Sequence, residues 1–200
     1  MGNREDLLAG AKRCLYEKGY GRTTARDIAA SSGVSLAAIG YHFGSKDALL
    51  SLALIEATGE WGEALAAAVA GAGEAGQDPQ ERFAAVWDDV LKTFSEHRGL
   101  WAAQFEAISQ VEHLPDLKES LGAAQRTARL GLSALFQGVE EVPDTEEELA
   151  RGSFYQSLLA GLAAQWLAAP DQAPAGGDIL QGLRLLAGDV LTGEQARVPR

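Results

Sequence analysis

The sequence predicts an all-α protein with a small N-terminal head on a larger helical body. Apolar residues recur at helical spacing along almost all of the 200-residue chain, and no stretch of useful length alternates as a half-buried strand would. Capping residues and glycines punctuate this pattern where helices should begin and end. We expect the head to occupy residues 1–50 and the body residues 51–200.

Charge separates the same two parts. The chain has a formal net charge of −11, yet residues 1–50 carry seven Lys/Arg and five Asp/Glu, a net of +2. Residues 51–200 carry 10 basic and 23 acidic side chains, a net of −13. This asymmetry favours a head that meets a polyanion and a body that a polyanion repels. One head of +2 predicts only modest non-specific affinity for DNA.

Three helices are predicted in the head. The first begins at Asn3, which can cap it, and Gly19 is placed to end it. Thr24 caps the second helix with Asp27 three residues on, and Ser35 caps the third after a Gly-Val turn. The expected helices run over about 3–18, 25–32 and 36–43.

The body begins with a longer helix from Lys46 to about Ala70, after which small residues up to Gly76 predict a loop. Two strong helix starts follow, at Asp78-Pro79 and at Thr145, each with an acidic residue in the first turn. A Pro/Gly/Ala loop is expected at 170–177. The body helices are therefore predicted over about 46–70, from Pro79 to a stop at residues 97–99, and over 116–136, 145–168 and 179–191. A further segment with Trp101, Phe105 and Ile108 is expected before Leu114-Pro115.

The most informative stretch is Gly21–Leu50, GRTTARDIAASSGVSLAAIGYHFGSKDALL. It predicts two short helices joined by a glycine-containing turn, which is the helix-turn-helix arrangement. Ile28 and Ile39, with smaller apolar neighbours, are spaced to hold the two helices at a fixed angle. The second helix, Leu36–Phe43, would then enter the major groove of DNA while the first crosses the backbone.

This stretch resembles the TetR (tetracycline-repressor-like) family of transcriptional regulators over about residues 4–55. The body resembles the family only in its helix layout and in a Leu-Ala-Gly-Leu patch at 159–162 followed by Gln165-Trp166. The resemblance implies a homodimeric, DNA-binding repressor of a palindromic operator, released by a small-molecule effector. The matching elements in the head are Thr23-Thr24, Ile28-Ala29, Gly33-Val34-Ser35, Tyr41-His42-Phe43 and Ser45-Lys46.

The candidate DNA-binding residues lie at helix starts and along the second helix of the motif. Hydroxyl groups at helix N-termini and Lys46 would bind phosphates, while Thr24, Arg26 and apolar side chains would contact base edges. The set is Thr24, Arg26, Ser35, Leu36, Ala37, Gly40, Tyr41, His42 and Lys46.

Two positions depart from the family pattern. Gly40 stands where members frequently carry a phosphate-contacting tyrosine, and Leu36 stands where many carry lysine. The reading helix therefore offers few side chains that could hydrogen-bond to bases. We interpret Gly40 as allowing close approach of the backbone to the duplex. The alternatives are close packing of Gly40 inside the head and simple tolerance of a glycine within the helix, at a cost of about 1 kcal/mol.

The body offers candidate ligand and dimer residues. Many large rings among Ala and Gly residues could leave an apolar cavity, and the resemblance implies an effector pocket of this kind. The aromatic candidates are Trp61, Trp87, Trp101, Phe105 and Tyr155. The last two long helices present apolar and small residues that suit a four-helix dimer interface. The interface candidates are Leu158, Gly161, Leu162 and Leu186.

The sequence shows few features of other classes of protein. The motifs of phosphate loops, nucleophile elbows and zinc proteases are missing, so we expect no enzyme, no cofactor and no metal. A single cysteine, Cys14, and the lack of a secretory or membrane-spanning apolar run predict a cytoplasmic location. Two alternatives stay open: a regulator without a small-molecule effector, controlled by a protein partner, and a helical binding protein whose DNA-binding head is vestigial.

Overall fold

Helices make up the fold, and the described residues contain no β-strand. The computed structural model describes residues 2–72, 78–113 and 115–192. Short 3₁₀ turns follow the sixth and eighth helices at Val111–His113 and Pro170–Gln172, and a π-turn at Gly188–Thr192 follows the last. The helices are α1 Asn3–Lys18, α2 Ala25–Ser32, α3 Leu36–Phe43, α4 Lys46–Ala72, α5 Pro79–Glu96, α6 Arg98–Gln110, α7 Pro115–Gln137, α8 Glu146–Ala168 and α9 Gly176–Ala187.

The predicted helix starts and stops are largely confirmed. Thr24 caps α2 through a reciprocal pair of hydrogen bonds with Asp27, and Pro79 stands at the first position of α5. Gly19 and Gly33 end α1 and α2 with positive φ angles of 84° and 72°, which favour glycine. The loop predicted up to Gly76 falls partly on residues 73–77, which lie outside the described residues.

Several predicted caps differ from the structure. Ser35 and Asp78 stand at the N-cap positions of α3 and α5 but make no side-chain capping hydrogen bond. Gly2 is the N-cap of α1, so Asn3 is already the first helical residue, and the Gly2 N–H donates to the Glu5 side chain at 3.2 Å. The Thr145 hydroxyl does accept from the Glu148 N–H, but the return bond of a capping box is not made. Glu148 instead accepts from Ser133 and Gln137 of α7, because the tight packing of α7 on α8 places these donors beside it.

The head and the body share a continuous hydrophobic core. Helix α1 packs on α2 and α4 and also reaches α6, so residues from both sides of position 50 meet. Leu7, Leu15 and Ile28 of the head are fully buried, as are Leu49 and Leu50 of α4. Helix α4 continues through residue 50 without a break and therefore belongs to both parts.

The rest of the body is built around two packed pairs of helices. Helix α7 packs along α8 and α4, and α9 packs along α5. The Gly176 N–H at the start of α9 donates to the Asp88 carboxylate of α5 at 2.7 Å, which fixes this end of the pair. None of the described helices has the length and apolar character needed to cross a membrane.

Candidate functional site

The angle between α2 and α3 is fixed from inside the head. Ile28 of α2 is fully buried, and Ile39 of α3 is 3% exposed. Ala25 and Val34 pack partly buried against this core. Because the wedge is apolar and the turn between the helices is short, α3 keeps one face buried and presents the opposite face to solvent.

The outer face of α3 is open and short of polar groups. Tyr41 is 86% exposed and Leu36 is 50% exposed, and both are large apolar groups that the protein's own core does not cover. Ala37 and Gly40 are exposed beside them, whereas His42 is partly buried with its ring 4.9 Å from that of Tyr41. A β-carbon at Gly40 would meet no atom within 4 Å. The space at Gly40 is therefore available to another molecule.

The N-cap residues of α2 and α3 differ in whether their side-chain hydroxyl groups are already hydrogen-bonded. Asp27 takes both the Thr24 N–H and the Thr24 hydroxyl, at 2.9 and 2.7 Å. The ion pair with Lys18, together with these two bonds, holds the pKa of Asp27 far below its ordinary value. Ser35 caps α3 without a side-chain hydrogen bond, so its hydroxyl remains available at this helix start.

The structure divides the cations of the head into two groups. All three lysines form ion pairs: Lys12 with Glu56 and Glu60, Lys18 with Asp27, and Lys46 with Asp47 at 2.7 Å. The four arginines of the head form no ion pair among the described residues. Arg4 lies over the Phe43 ring at 5.2 Å, Arg13 donates to Ser31, and Arg22 donates to the Lys18 carbonyl oxygen. Arg26 is exposed on α2.

One aromatic cluster lies where α4, α5 and α6 meet. The rings of Trp61 and Trp101 meet edge to face at 5.0 Å, and Phe94 lies 5.1 Å from Trp101 and 5.9 Å from Trp166. Trp61 donates its indole N–H to the Thr93 hydroxyl at 2.9 Å, whereas the buried Trp101 N–H has no partner among the described residues. Phe105 packs partly buried against the core. The structure thus brings Trp61 and Trp101 together.

A second aromatic cluster lies where α5, α7 and α8 meet. Phe136 stacks on Tyr155 at 4.0 Å with an interplanar angle of 13° and lies 4.9 Å from Trp87. Phe83 contacts all three rings at 5.8–6.4 Å. The candidates Trp87 and Tyr155 therefore lie apart from the Trp61–Trp101 pair.

The sequence reasoning missed Phe83, Phe94 and Phe136 as members of these clusters. Phe83, Trp87 and Phe94 recur at intervals of four and seven residues along α5, a spacing that places their rings on one face. That signal was available in the sequence. Phe136 gave no such signal, because it reaches the cluster through the packing of α7 on its neighbours.

The dimer candidates on α8 and α9 divide by exposure. Leu186 is 62% exposed, Gly161 is exposed with free space beside it, and Leu158 is partly buried. Leu162 is only 4% exposed, because it points into the core of its own protomer, so a substitution there would test folding instead of an interface. Exposed apolar residues that the sequence reasoning did not single out extend this surface: Phe154, Leu185 and Val190.

Helix α6 connects the first aromatic cluster to the head. The Gly21 N–H, just before α2, donates to the Glu106 carboxylate at 2.9 Å. At its other end, α6 packs so closely on α1 that a β-carbon at Gly99 would collide with the Tyr16 carbonyl group. Trp101 lies between these two contacts on the same helix. A displacement of α6 would therefore change the position of Glu106, which holds the turn that precedes α2.

Comparisons with known proteins identify the N-terminal region. Residues 7–53 match the model of the family described as bacterial regulatory proteins, tetR family. HTH-type transcriptional repressor Rv1474c of Mycobacterium tuberculosis is 33% identical over 127 residues, which are 64% of this chain and 59% of that protein. HTH-type transcriptional repressor AcnR of Corynebacterium glutamicum is 43% identical over 47 residues, 24% of this chain and 25% of that one. The chain thus spans less than two thirds of the length of these curated relatives.

Solved structures show the same fold over nearly the whole chain. A transcriptional regulator from Rhodococcus sp. Rha1 superposes with a TM-score of 0.61 and 24% identity, covering 98% of this chain and 99% of that one. The multidrug binding protein EbrR complexed with imidazole gives a TM-score of 0.67 and 21% identity over 93% and 95% of the two chains; its proflavin complex gives 0.62 and 22% over 92% and 99%. The N-terminal region, residues 7–53, thus matches the tetR family of bacterial regulatory proteins, and nearly the whole chain shares its fold with these solved structures.

Proposed function

We propose that this protein is a homodimeric transcriptional repressor that binds a palindromic operator and is released from it by a small-molecule effector. The observation that carries the proposal is the outer face of α3. Leu36 and Tyr41 are exposed there, and Gly40 has free space beside it, on a helix that Ile28 and Ile39 hold rigidly at a fixed angle. A helix presented in this way fits the major groove of DNA.

Contacts to DNA would follow from the same geometry. Arg26 is exposed and unpaired among the described residues, so its guanidinium group is available for base edges or phosphates. Ser35 offers its hydroxyl at the N-terminus of α3, and Leu36 and Ala37 suit apolar contact with thymine methyl groups. Thr24 has both donors engaged by Asp27, so its contribution would be to hold α2 in place.

Repression is supported by the relatives, since the curated proteins that match the head are named as repressors. Effector binding is supported by the two aromatic clusters and by the likeness in fold to EbrR, which was solved with imidazole and with proflavin. A dimer is supported by the exposed apolar residues on α8 and α9. An effector would act by favouring a spacing of the two heads that cannot span both half-sites.

Selection of bound duplexes from a random pool tests the proposal. We expect the full-length protein to enrich one sequence with two-fold symmetry, because a symmetric dimer reads two identical half-sites. Enrichment of no sequence would contradict the proposal and favour a vestigial head. If the protein selects an operator but neither proflavin nor other small molecules release it from that operator, the DNA-binding part of the proposal is supported and the effector part is contradicted.

Lys46 provides a prediction about phosphate contacts. We expect Lys46→Ala to weaken binding by a similar factor on operator and on random DNA, because a lysine contacts phosphate as a point charge. The slope of log affinity against log salt should shrink by about one. The measurement is fluorescence anisotropy with both duplexes at several salt concentrations.

The ion pair of Lys46 supplies the matched variant for that measurement. Asp47 lies 2.7 Å from Lys46 and offsets its charge, so Asp47→Asn should strengthen binding on both duplexes. A loss confined to the operator in Lys46→Ala would show that Lys46 contacts bases, contrary to the assignment.

Glu106 provides a prediction about the connection of body and head. We expect Glu106→Ala to raise the hydrogen-exchange rate of the Gly21 amide by about tenfold, because this amide loses its acceptor. Operator affinity should fall by about threefold to tenfold as the turn before α2 loosens. Glu106→Gln is the control, since an amide oxygen can still accept the bond. Unchanged exchange at Gly21 in Glu106→Ala would show that this contact does not hold the turn.

A further inference from the structure

We infer that the effector is a flat aromatic anion, such as an arenecarboxylate, held at the second aromatic cluster by the indole N–H of Trp87 and the guanidinium group of Arg82. This inference rests on the proposed function, since it names the chemistry of the effector. The cluster consists of Phe83, Trp87, Phe136 and Tyr155.

The first support is the unpaired donor at the centre of the cluster. Trp87 is fully buried, yet its indole N–H has no hydrogen-bond partner among the described residues. A buried donor without an acceptor is destabilising, and native proteins rarely leave one without a reason. Trp61 shows the ordinary outcome, because its N–H donates to Thr93. An acceptor supplied by a ligand would satisfy Trp87 in the same way.

The second support is the charge of the neighbouring donor. The Nε atom of Arg82 is also buried without a partner. A β-carbon at Gly138 would collide with the Arg82 guanidinium group, which places that group just beyond the end of α7, two residues after Phe136. Arg82 and Trp87 therefore border the same cluster. A positive charge beside an unpaired neutral donor favours an anionic acceptor over a neutral one.

The third support is the kind of atom left unpaired. Every buried, unpaired side-chain atom among the described residues is an N–H donor, and no carbonyl, carboxylate or hydroxyl oxygen is left in this state. A ligand that presents acceptors fits this pattern, and one that presents donors does not. The ring of such a ligand would pack among the four aromatic side chains. Phe83 and Tyr155 are partly exposed, so the cluster reaches the surface of the protein.

Two carboxylates near the cluster accept hydrogen bonds from other groups of the protein, and neither occupies the unpaired N–H groups of Arg82 and Trp87. Asp88, next to Trp87, accepts from the Gly176 N–H. Glu148 of α8 accepts from Ser133 and Gln137 and lies 3.8 Å from Arg151. Both carboxylates are thus already engaged by donors of the protein. Arg82 is a cation that borders the cluster and forms no ion pair among the described residues.

Titration calorimetry with three probes of the same ring tests the inference: 2-naphthoate, neutral 2-naphthamide and cationic 2-naphthylmethylammonium. We expect naphthoate to bind at least about tenfold more tightly than the ammonium probe. Trp87→Phe keeps an aromatic ring but removes the N–H, and it should weaken naphthoate binding by about tenfold or more. Tyr20→Phe, which also keeps a buried ring but removes a hydroxyl already hydrogen-bonded to Ser51, lies outside both clusters and is the matched control; it should change the affinity by less than about twofold.

A second variant keeps the test valid if Trp87→Phe fails to fold. Arg82→Gln removes the charge and should bring the affinities for naphthoate and naphthamide within about threefold of each other. Tighter binding of the ammonium probe, no binding of naphthoate at millimolar concentration, or equal affinities in folded Trp87→Phe and the unmodified protein would each overturn the inference. Naphthoate that binds but does not release the operator would contradict the effector part of the proposed function and leave the ligand chemistry standing.

Discussion

Gly40→Leu should reduce operator affinity by about 100-fold while leaving the protein folded. The leucine side chain would project from the open face of α3 and hold the helix away from the groove, so several contacts worth about 1–3 kcal/mol each would weaken together. No atom lies within 4 Å of a β-carbon at this position, so the head can accept the side chain. Operator affinity by anisotropy and thermal melting by circular dichroism are the measurements.

Gly40→Ala separates the DNA-facing interpretation of this glycine from close packing inside the head. Alanine is the better helix former by about 1 kcal/mol, so the melting temperature should stay or rise if Gly40 faces DNA. If Gly40 instead packs inside the head, both substitutions should lower the melting temperature, and that result would contradict our interpretation. Gly59 is the matched control, since it is an exposed helical glycine of α4 with the same free space. Gly59→Leu should leave operator affinity unchanged.

Leu186→Asp should convert the protein from a dimer into a monomer. Leu186 is 62% exposed in one protomer, so its replacement should change the free energy of unfolding of that protomer little. In a dimer, a helix of the partner would cover it. Burial of a leucine side chain contributes about 1.5–3 kcal/mol. A symmetric dimer contains the substitution in both protomers and loses this contribution twice, so association should weaken by about 100-fold or more. Light scattering should give twice the 21.1 kDa chain mass for the unmodified protein and one chain mass for the variant.

The control for this variant is an apolar residue of similar exposure elsewhere. Ile108 on α6 is 54% exposed and lies away from α8 and α9 in the sequence, so Ile108→Asp should remain dimeric. The operator affinity of Leu186→Asp should fall together with its mass, because one head binds only one half-site. A monomeric unmodified protein, or a Leu186→Asp protein that stays dimeric, would show that this surface does not form the interface.

Local signals in the sequence determined the helices and the DNA-binding motif. Thr24 with Asp27, Pro79 after Asp78, and glycines 19 and 33 act on their immediate neighbours, so they can be read without knowing the fold. The helix-turn-helix is equally local, since Ile28 and Ile39 lie within twelve residues of each other. A predicted capping bond was not formed where another helix offered the side chain a different partner: Glu148 accepts from Ser133 of α7.

Only the tertiary structure decided which side chains are free to act. The sequence counts seven cations in the head but cannot show that its lysines are paired and its arginines are not. It also cannot separate Leu162, which is buried, from Leu186, which is exposed, because both belong to apolar helices. The aromatic residues divided into two clusters, and Trp87 kept an unpaired N–H, through contacts between helices far apart in the chain. Pairing and burial depend on which distant residues meet, and that depends on how the helices pack.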